Sequence, residues 1–214
     1  MKLCMIGAGY VGLVSGVCFS DLGNVVYCVD NDKRKIDQLN NGKVPIYEPG
    51  LEEILKKNFK QKRLIFTTNL DKAISNSDIV FICVGTPTRK GSNSADLKYV
   101  FQVANQLKKL IKTYKIVITK STVPVTTGDK MEKILIKQKK KNLVDIVSNP
   151  EFLREGEAIR DFIYPDRVVI GTDSEKANRI LKSLYLPIIK KTSRFFRTSR
   201  PVSYTHLRAH ETME

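Results

Sequence analysis

Residues 1–30 read MKLCMIGAGYVGLVSGVCFSDLGNVVYCVD: an apolar run, four glycines at positions 7, 9, 12 and 16, and a second apolar run closed by Asp30. The runs at 3–6 and 25–29 have the short apolar character of buried strands, and 10–22 between them predicts a helix. Gly7-Ala8-Gly9-Tyr10-Val11-Gly12 fits GxGxxG. The pattern alone is weak, but here it leaves a strand and opens a helix, the setting in which it cradles phosphates. Gly7 permits the tight turn, Gly9 lets the backbone approach a pyrophosphate, and Gly12 lets helix and strand pack closely. The helix N-terminus, with Tyr10 and Val11, offers unpaired N–H groups and a positive dipole end to the phosphates. Asp30 stands eighteen residues past Gly12 (30 − 12), where a carboxylate accepts the adenosine ribose hydroxyls and repels a 2′-phosphate, so NAD is expected over NADP. A glycine-rich turn that merely packs helix on strand is the alternative. Lys2 followed by the apolar run 3–20 also has the look of a signal peptide or membrane anchor, but the four glycines favour the phosphate-loop reading.

Outward from this unit the rhythm repeats. Runs at 64–66, 79–84, 116–119 and 144–147 read as strands, and stretches at about 31–40, 50–58, 95–112 and 126–138 as helices. A further strand is expected at 167–170 and a helix at 174–184. Strands that are apolar throughout imply a sheet covered on both sides. The predicted class is therefore α/β, a doubly wound (Rossmann-type) parallel sheet with helices on both faces, spanning residues 1–199. Ligands then belong at the carboxyl ends of the strands. Residues 200–214 lack apolar periodicity and hold both histidines, His206 and His210. They are expected to form an unstructured tail, foreign or frame-shifted, with no function.

The formal charge of +15, from 37 Lys and Arg against 22 Asp and Glu, raises a nucleic-acid reading. The lysines are scattered, however, and the run 137–141 follows an apolar helical stretch as a solvated helix end would. No helix-turn-helix, zinc-finger or RNP pattern accompanies the charge, so no specific nucleic-acid partner is expected, and no membrane partner either. Cys4, Cys18, Cys28 and Cys83 lie in apolar runs without CxxC spacing. They predict buried free thiols in a reducing, cytoplasmic setting, with no metal site and no disulfide framework.

Further along, "YEPGL" at 47–51, "GTPT" at 85–88, "KSTVP" at 120–124, "NPEFLREG" at 149–156 and "PDRVVIG" at 165–171 follow the glycine motif and the pair Asp30 and Lys35 in order. Together they resemble the UDP-glucose 6-dehydrogenase group of the UDP-glucose/GDP-mannose dehydrogenase family, from Met1 to about Ser199. The resemblance implies a two-step, four-electron oxidation of UDP-glucose to UDP-glucuronate, consuming two NAD, through an aldehyde and a cysteine-bound thioester, in a homo-oligomer. It implies Lys35 beside Asp30 at the ribose end, and Gly85 and Thr86 flat against the dinucleotide. Thr122 would hydrogen-bond a water and the sugar C6 oxygen; its residue type equally suits a helix N-cap, with Pro124 in the first turn. Glu151 is implied as the general base for thioester hydrolysis and Glu155 as a contact to both cofactor and substrate. The run Glu151, Phe152, Leu153, Arg154 and Glu155 would hold the sugar nucleotide, through the backbone around Phe152 and Leu153. The alternative is that both glutamates only cap a helix at 155–161.

Two departures matter. Thr126-Thr127 stands where the family has Gly-Thr, tolerable if φ is negative there. The family's second half, with its lysine, asparagine, nucleophilic cysteine and aspartate, has no counterpart in these residues. The polypeptide is therefore expected to bind cofactor without completing turnover. A sister dehydrogenase for GDP-mannose or a UDP-amino sugar, and a non-catalytic nucleotide-binding module, are the other readings.

Overall fold

The computed structural model describes residues 1–88, 91, 95–121, 123–124, 126–136, 142–189 and 194–203. The elements alternate: β1 (Lys2–Ile6), α1 (Tyr10–Asp21), β2 (Val25–Val29), α2 (Lys33–Asn40), α3 (Leu51–Lys60), β3 (Leu64–Thr67), α4 (Leu70–Ser75) and β4 (Ile79–Ile82). There follow α5 (Lys98–Leu110), β5 (Lys115–Thr119), α6 (Thr127–Leu135), β6 (Val144–Ser148), α7 (Ala158–Ile163), β7 (Arg167–Gly171), α8 (Glu175–Ile189) and β8 (Arg194–Thr198).

One eight-stranded sheet carries them in the order β3-β2-β1-β4-β5-β6-β7-β8. The apolar β1 is central and pairs in parallel with β2 (Ile6↔Val29) and with β4 (Ile6↔Ile82). Because β3 pairs in parallel with β2 (Val29↔Thr67) and β5 and β6 continue in the same sense, with Ile82↔Thr119 and Thr119↔Ser148, six chain segments leave the sheet side by side at one edge. Gly7, Asp30, Cys83, Lys120 and Asn149 each stand just past the last residue of a strand there. The strand order reverses direction at β1, which opens the ligand crevice expected of such sheets.

Both faces are covered. On one, α1 meets α3, α7 and α8 around Phe19, which lies 5.4 Å from Phe81, 4.8 Å from Phe162 and 5.4 Å from Tyr185, ring centre to ring centre. A fully buried phenylalanine of this kind stabilises by about 3–5 kcal/mol relative to alanine. On the other, Ala73 and Ile74 of α4, Val100 and Leu107 of α5 and Met131 of α6 pack on Cys4, Val80 and Val117 of the strands. The apolar run 3–20 is thus divided between β1 and a helix buried from Gly12 to Ser20. No helix among the described residues is long and apolar enough to cross a membrane.

The structure departs from the sequence reading in five places. First, β7 pairs antiparallel with β6 through Ser148↔Gly171, while β8 runs parallel to β7. The connection after β6 holds only the six-residue α7 and stays at the ligand edge, so the chain re-enters the sheet from the end it left. A Cβ at Gly171 would stand 2.2 Å from the Ser148 hydroxyl, so only glycine fits the junction. Second, α4 and β8 were not expected: six residues are too few to show a period, and Arg-Phe-Phe-Arg-Thr lacks a sustained apolar run. Third, α7 begins at Ala158, three residues later than expected. Fourth, α6 begins at Thr127 with Pro124 ahead of it, its carbonyl accepting the Thr127 N–H at 2.9 Å; residues 137–141 of the expected helix lie outside the described residues. Fifth, residues 200–203 form a helical turn. Arg200 pairs there with Asp129 and Glu132 of α6, and the buried Ser203 hydroxyl bonds Ser148, so the expected lack of structure does not hold for these four. Residues 204–214, with both histidines, lie outside the described residues.

Candidate functional site

The site begins where β1 ends. Gly7 donates its N–H to Val29 O at 2.8 Å and adopts φ +103°, a conformation that side chains disfavour. A Cβ on Gly12 would stand 1.9 Å from Gly7 O, which explains the third glycine by close packing, whereas a Cβ on Gly9 would meet nothing within 4 Å. Gly9 is the N-cap of α1 and supplies no side-chain cap, and the first turn carries no acidic residue. The first turn of α1 thus has no side-chain cap and starts beside an open glycine backbone, which is the arrangement that a pyrophosphate fills.

Asp30 closes the loop from the side. Its carboxylate accepts from Ala8 N (2.9 Å), Asp32 N (3.0 Å) and Lys35 Nζ (2.9 Å). Burial works against its charge, but the Asp32 N–H, the Lys35 ammonium and the Ala8 N–H outweigh it and hold the carboxyl below the ordinary range. Asp32 also caps α2 by accepting from Arg34 N and Lys35 N, which places Lys35 where it reaches Asp30. Gly85 is exposed and open at its Cβ position, beside the half-buried Thr86. The exits of β4 and β5 are joined by Ser121, whose hydroxyl donates to Val84 O at 2.8 Å. Thr122 lies outside the described residues.

Past β6 opens a cavity of about 750 Å³, lined among others by Lys120, Asn149, Glu151, Phe152, Leu153 and Arg154. Beneath it lies a buried polar knot. Asn149 Oδ1 accepts from the Tyr185 hydroxyl (2.5 Å) and the Lys120 ammonium (3.4 Å), and Asn149 Nδ2 donates to Val169 O (3.0 Å). Burial lowers the Lys120 pKa, opposed by the charge of Glu151. Leu153 N donates to Glu151 Oε2 at 2.8 Å, while Arg154 is turned outward onto Asp161 (2.7 Å) and Glu157 (2.8 Å). Glu155 is exposed and lines a separate cleft of about 500 Å³ with Tyr10, Ile46, Tyr47 and Gly156. The two glutamates therefore occupy different cavities: Glu151 the larger one, Glu155 the one beside the glycine loop.

Neither glutamate caps α7. That carboxylate is Glu48, unassigned from the sequence, which accepts from Gly156 N at 3.0 Å and Ile159 N at 3.1 Å. The signal available was an acid in a Pro-Gly turn ahead of α3, and its partners lie 108 and 111 residues away. All four cysteines are free and buried. Burial pushes the Cys18 and Cys83 thiols up to about 12 and raises those of Cys4 and Cys28 as well, so none of the four is an accessible, ionised nucleophile.

Residues 1–189 match the sequence model described as "UDP-glucose/GDP-mannose dehydrogenase family, NAD binding domain". A UDP-glucose 6-dehydrogenase of Rhizobium meliloti is 49% identical over 205 residues, covering 95% of this chain and 47% of that protein. One of Pseudomonas aeruginosa is 46% identical over 198 residues, covering 91% and 44%. Among solved structures, a UDP-glucose dehydrogenase from Pyrobaculum islandicum superposes with a TM-score of 0.92 at 34% identity, covering 99% of this chain and 49% of that one. A GDP-mannose dehydrogenase from Pseudomonas aeruginosa does so with 0.92 at 33%, covering 100% and 50%. The chain spans about half the length of the relatives it matches.

Proposed function

The chain belongs to the UDP-glucose/GDP-mannose dehydrogenase family, and from that premise we propose that it is the NAD-binding half of a cytoplasmic, homo-oligomeric enzyme that oxidises UDP-glucose to UDP-glucuronate. The observation that carries the reading is the uncapped N-terminus of α1 beside Gly9, flanked by Asp30. UDP-glucose is favoured as substrate by relatives of 41–49% identity named for it. The buried thiols support a reducing compartment.

In this reading the α1 amides and Gly9 hold the pyrophosphate, with Tyr10 and Val11 supplying the first N–H groups. Asp30 and Lys35 hold the adenosine ribose, and Gly85 and Thr86 lie along the dinucleotide. When bound, NAD supplies a hydride acceptor for each oxidation. Glu155, in the cleft beside Tyr10, reaches both ligands. Glu151, facing the larger cavity, takes the proton of the hydrolytic water once it lets go of the Leu153 N–H. Thr122 orders the water at the C6 oxygen. Phe152, Leu153 and Arg154 form the wall along which the sugar diphosphate lies. The thiol that the chemistry requires comes from outside these residues, because burial keeps all four cysteines protonated.

Titration with NADH and NADPH tests the cofactor assignment. NADH binds at least about tenfold more tightly, and Asp30→Ala narrows the gap, because a carboxylate that repels a 2′-phosphate is gone. Equal affinity for the two dinucleotides in the unaltered chain would sink the assignment. UDP-glucose against GDP-mannose, assayed with the same half joined to the second half of a relative, decides the substrate.

A further inference from the structure

Glu48 is 7% exposed and its carboxylate accepts three hydrogen bonds. Its Oε2 accepts from the Tyr10 hydroxyl and from Gly156 N at 3.0 Å, and its Oε1 from Ile159 N at 3.1 Å. The Gly156 N–H also reaches Tyr10 Oη at 2.9 Å. A carboxylate satisfies this arrangement because both oxygens only accept; a glutamine would turn an NH₂ towards one of the donors. The Tyr10 phenol, pushed up to about 12 by burial and by its bond to Glu48, remains a donor throughout the neutral range.

Of the three stretches joined here, two face different cavities of the proposed site. Tyr10 opens α1, and its backbone belongs to the glycine loop. Gly156, at φ +87°, lines the smaller cleft with Tyr10 and Glu155, two residues past the run 149–154 that walls the larger cavity. Glu48 belongs to neither ligand surface, yet it is the acceptor shared by both. Burial makes the arrangement stiff, since a donor released here loses its partner away from water.

The geometry points to Glu48 as a positioning residue that couples the two ligand loops: a dinucleotide that fixes the backbone of Tyr10 steadies, through the Tyr10 ring and Glu48, the end of the run 151–156, whose residues 151–154 face the sugar nucleotide. By linkage the effect is reciprocal, and a sugar nucleotide on that segment tightens the dinucleotide by the same factor. This rests on the reading of the glycine loop as a dinucleotide site.

Amide hydrogen exchange of this chain, free and at saturating NADH, tests it with Glu48→Gln and Tyr10→Phe alongside. NADH should slow exchange at Gly156 and Ile159 by at least about fivefold in the unaltered chain, the lower end of ordinary coupling between sites. Both variants should lose that NADH-dependent ratio. A Glu48 that merely braces the fold would raise exchange in both states and leave the ratio intact, which would overturn the coupling. So would unchanged exchange at both amides in the unaltered chain when NADH is bound. Failure of NADH to bind at all would instead refute the dinucleotide reading, and the coupling with it. Should Glu48→Gln not fold, Tyr10→Phe alone decides, because it removes one hydroxyl and leaves the carboxylate in place.

Discussion

Asp30, proposed above to set the choice of dinucleotide, also bears on acid stability. Its pKa lies below the ordinary value in the folded chain, so it contributes stability that is present above the unfolded carboxyl value near pH ~4 and is lost as pH falls through the folded value. The melting temperature of the unaltered chain should therefore fall between about pH 4 and pH 2 more steeply than that of Asp30→Asn; parallel curves would show that the contacts to Ala8, Asp32 and Lys35 carry no net energy. Glu151 differs, since its one described bond is to the Leu153 N–H two residues on. In a full-length protein carrying this half, Glu151→Gln should lower turnover at least about a hundredfold, roughly 2.7 kcal/mol, with the melting temperature within a few degrees. Turnover within threefold of the parent would remove it from the chemistry. The place of both residues at the sheet edge was legible because each stands shortly after a strand inside a recognisable run. Glu48 was not. Its partners are brought to it only by folding, and nothing in Tyr-Glu-Pro-Gly-Leu states that a buried phenol and two distant N–H groups will converge there.

At the scale of elements, legibility follows the length and burial of the apolar run. The strands β1, β2 and β5 were read almost to the residue because each carries an unbroken apolar run, whereas the six-residue α4 carries too little pattern. The direction of β7 was hidden for another reason: a strand buried on both faces looks alike whichever way it runs, and direction depends on what the preceding connection does. The turn into α6 provides a measurable case. Thr126, where the resemblance implies a glycine, adopts φ −77°, a value any residue accepts. Thr126→Gly should therefore destabilise by about 0.4–1 kcal/mol, through greater freedom of the unfolded chain. A stabilisation in urea unfolding would mean that the threonine is strained there.

For the whole molecule, the decisive fact is what the sheet edge lacks. It presents a glycine loop, the Asp30 carboxylate and two cavities, but its thiols are all beneath the surface. The chain alone should thus bind NADH yet give no steady NADH production from UDP-glucose, measured at 340 nm; turnover at the rate of a full-length relative would contradict this. The central place of β1 bears on how such a chain is made. β1 finds β2 early, but its other neighbour is β4, and fifty residues (79 − 29) separate Val29 from Ile79. At about 5–20 residues per second of synthesis, the second edge of Leu3–Ile6 waits roughly 3–10 s for its partner. During that interval an apolar strand that the folded chain buries is open to strand addition by a neighbour, and a chaperone that shields it has its work before residue 80 emerges.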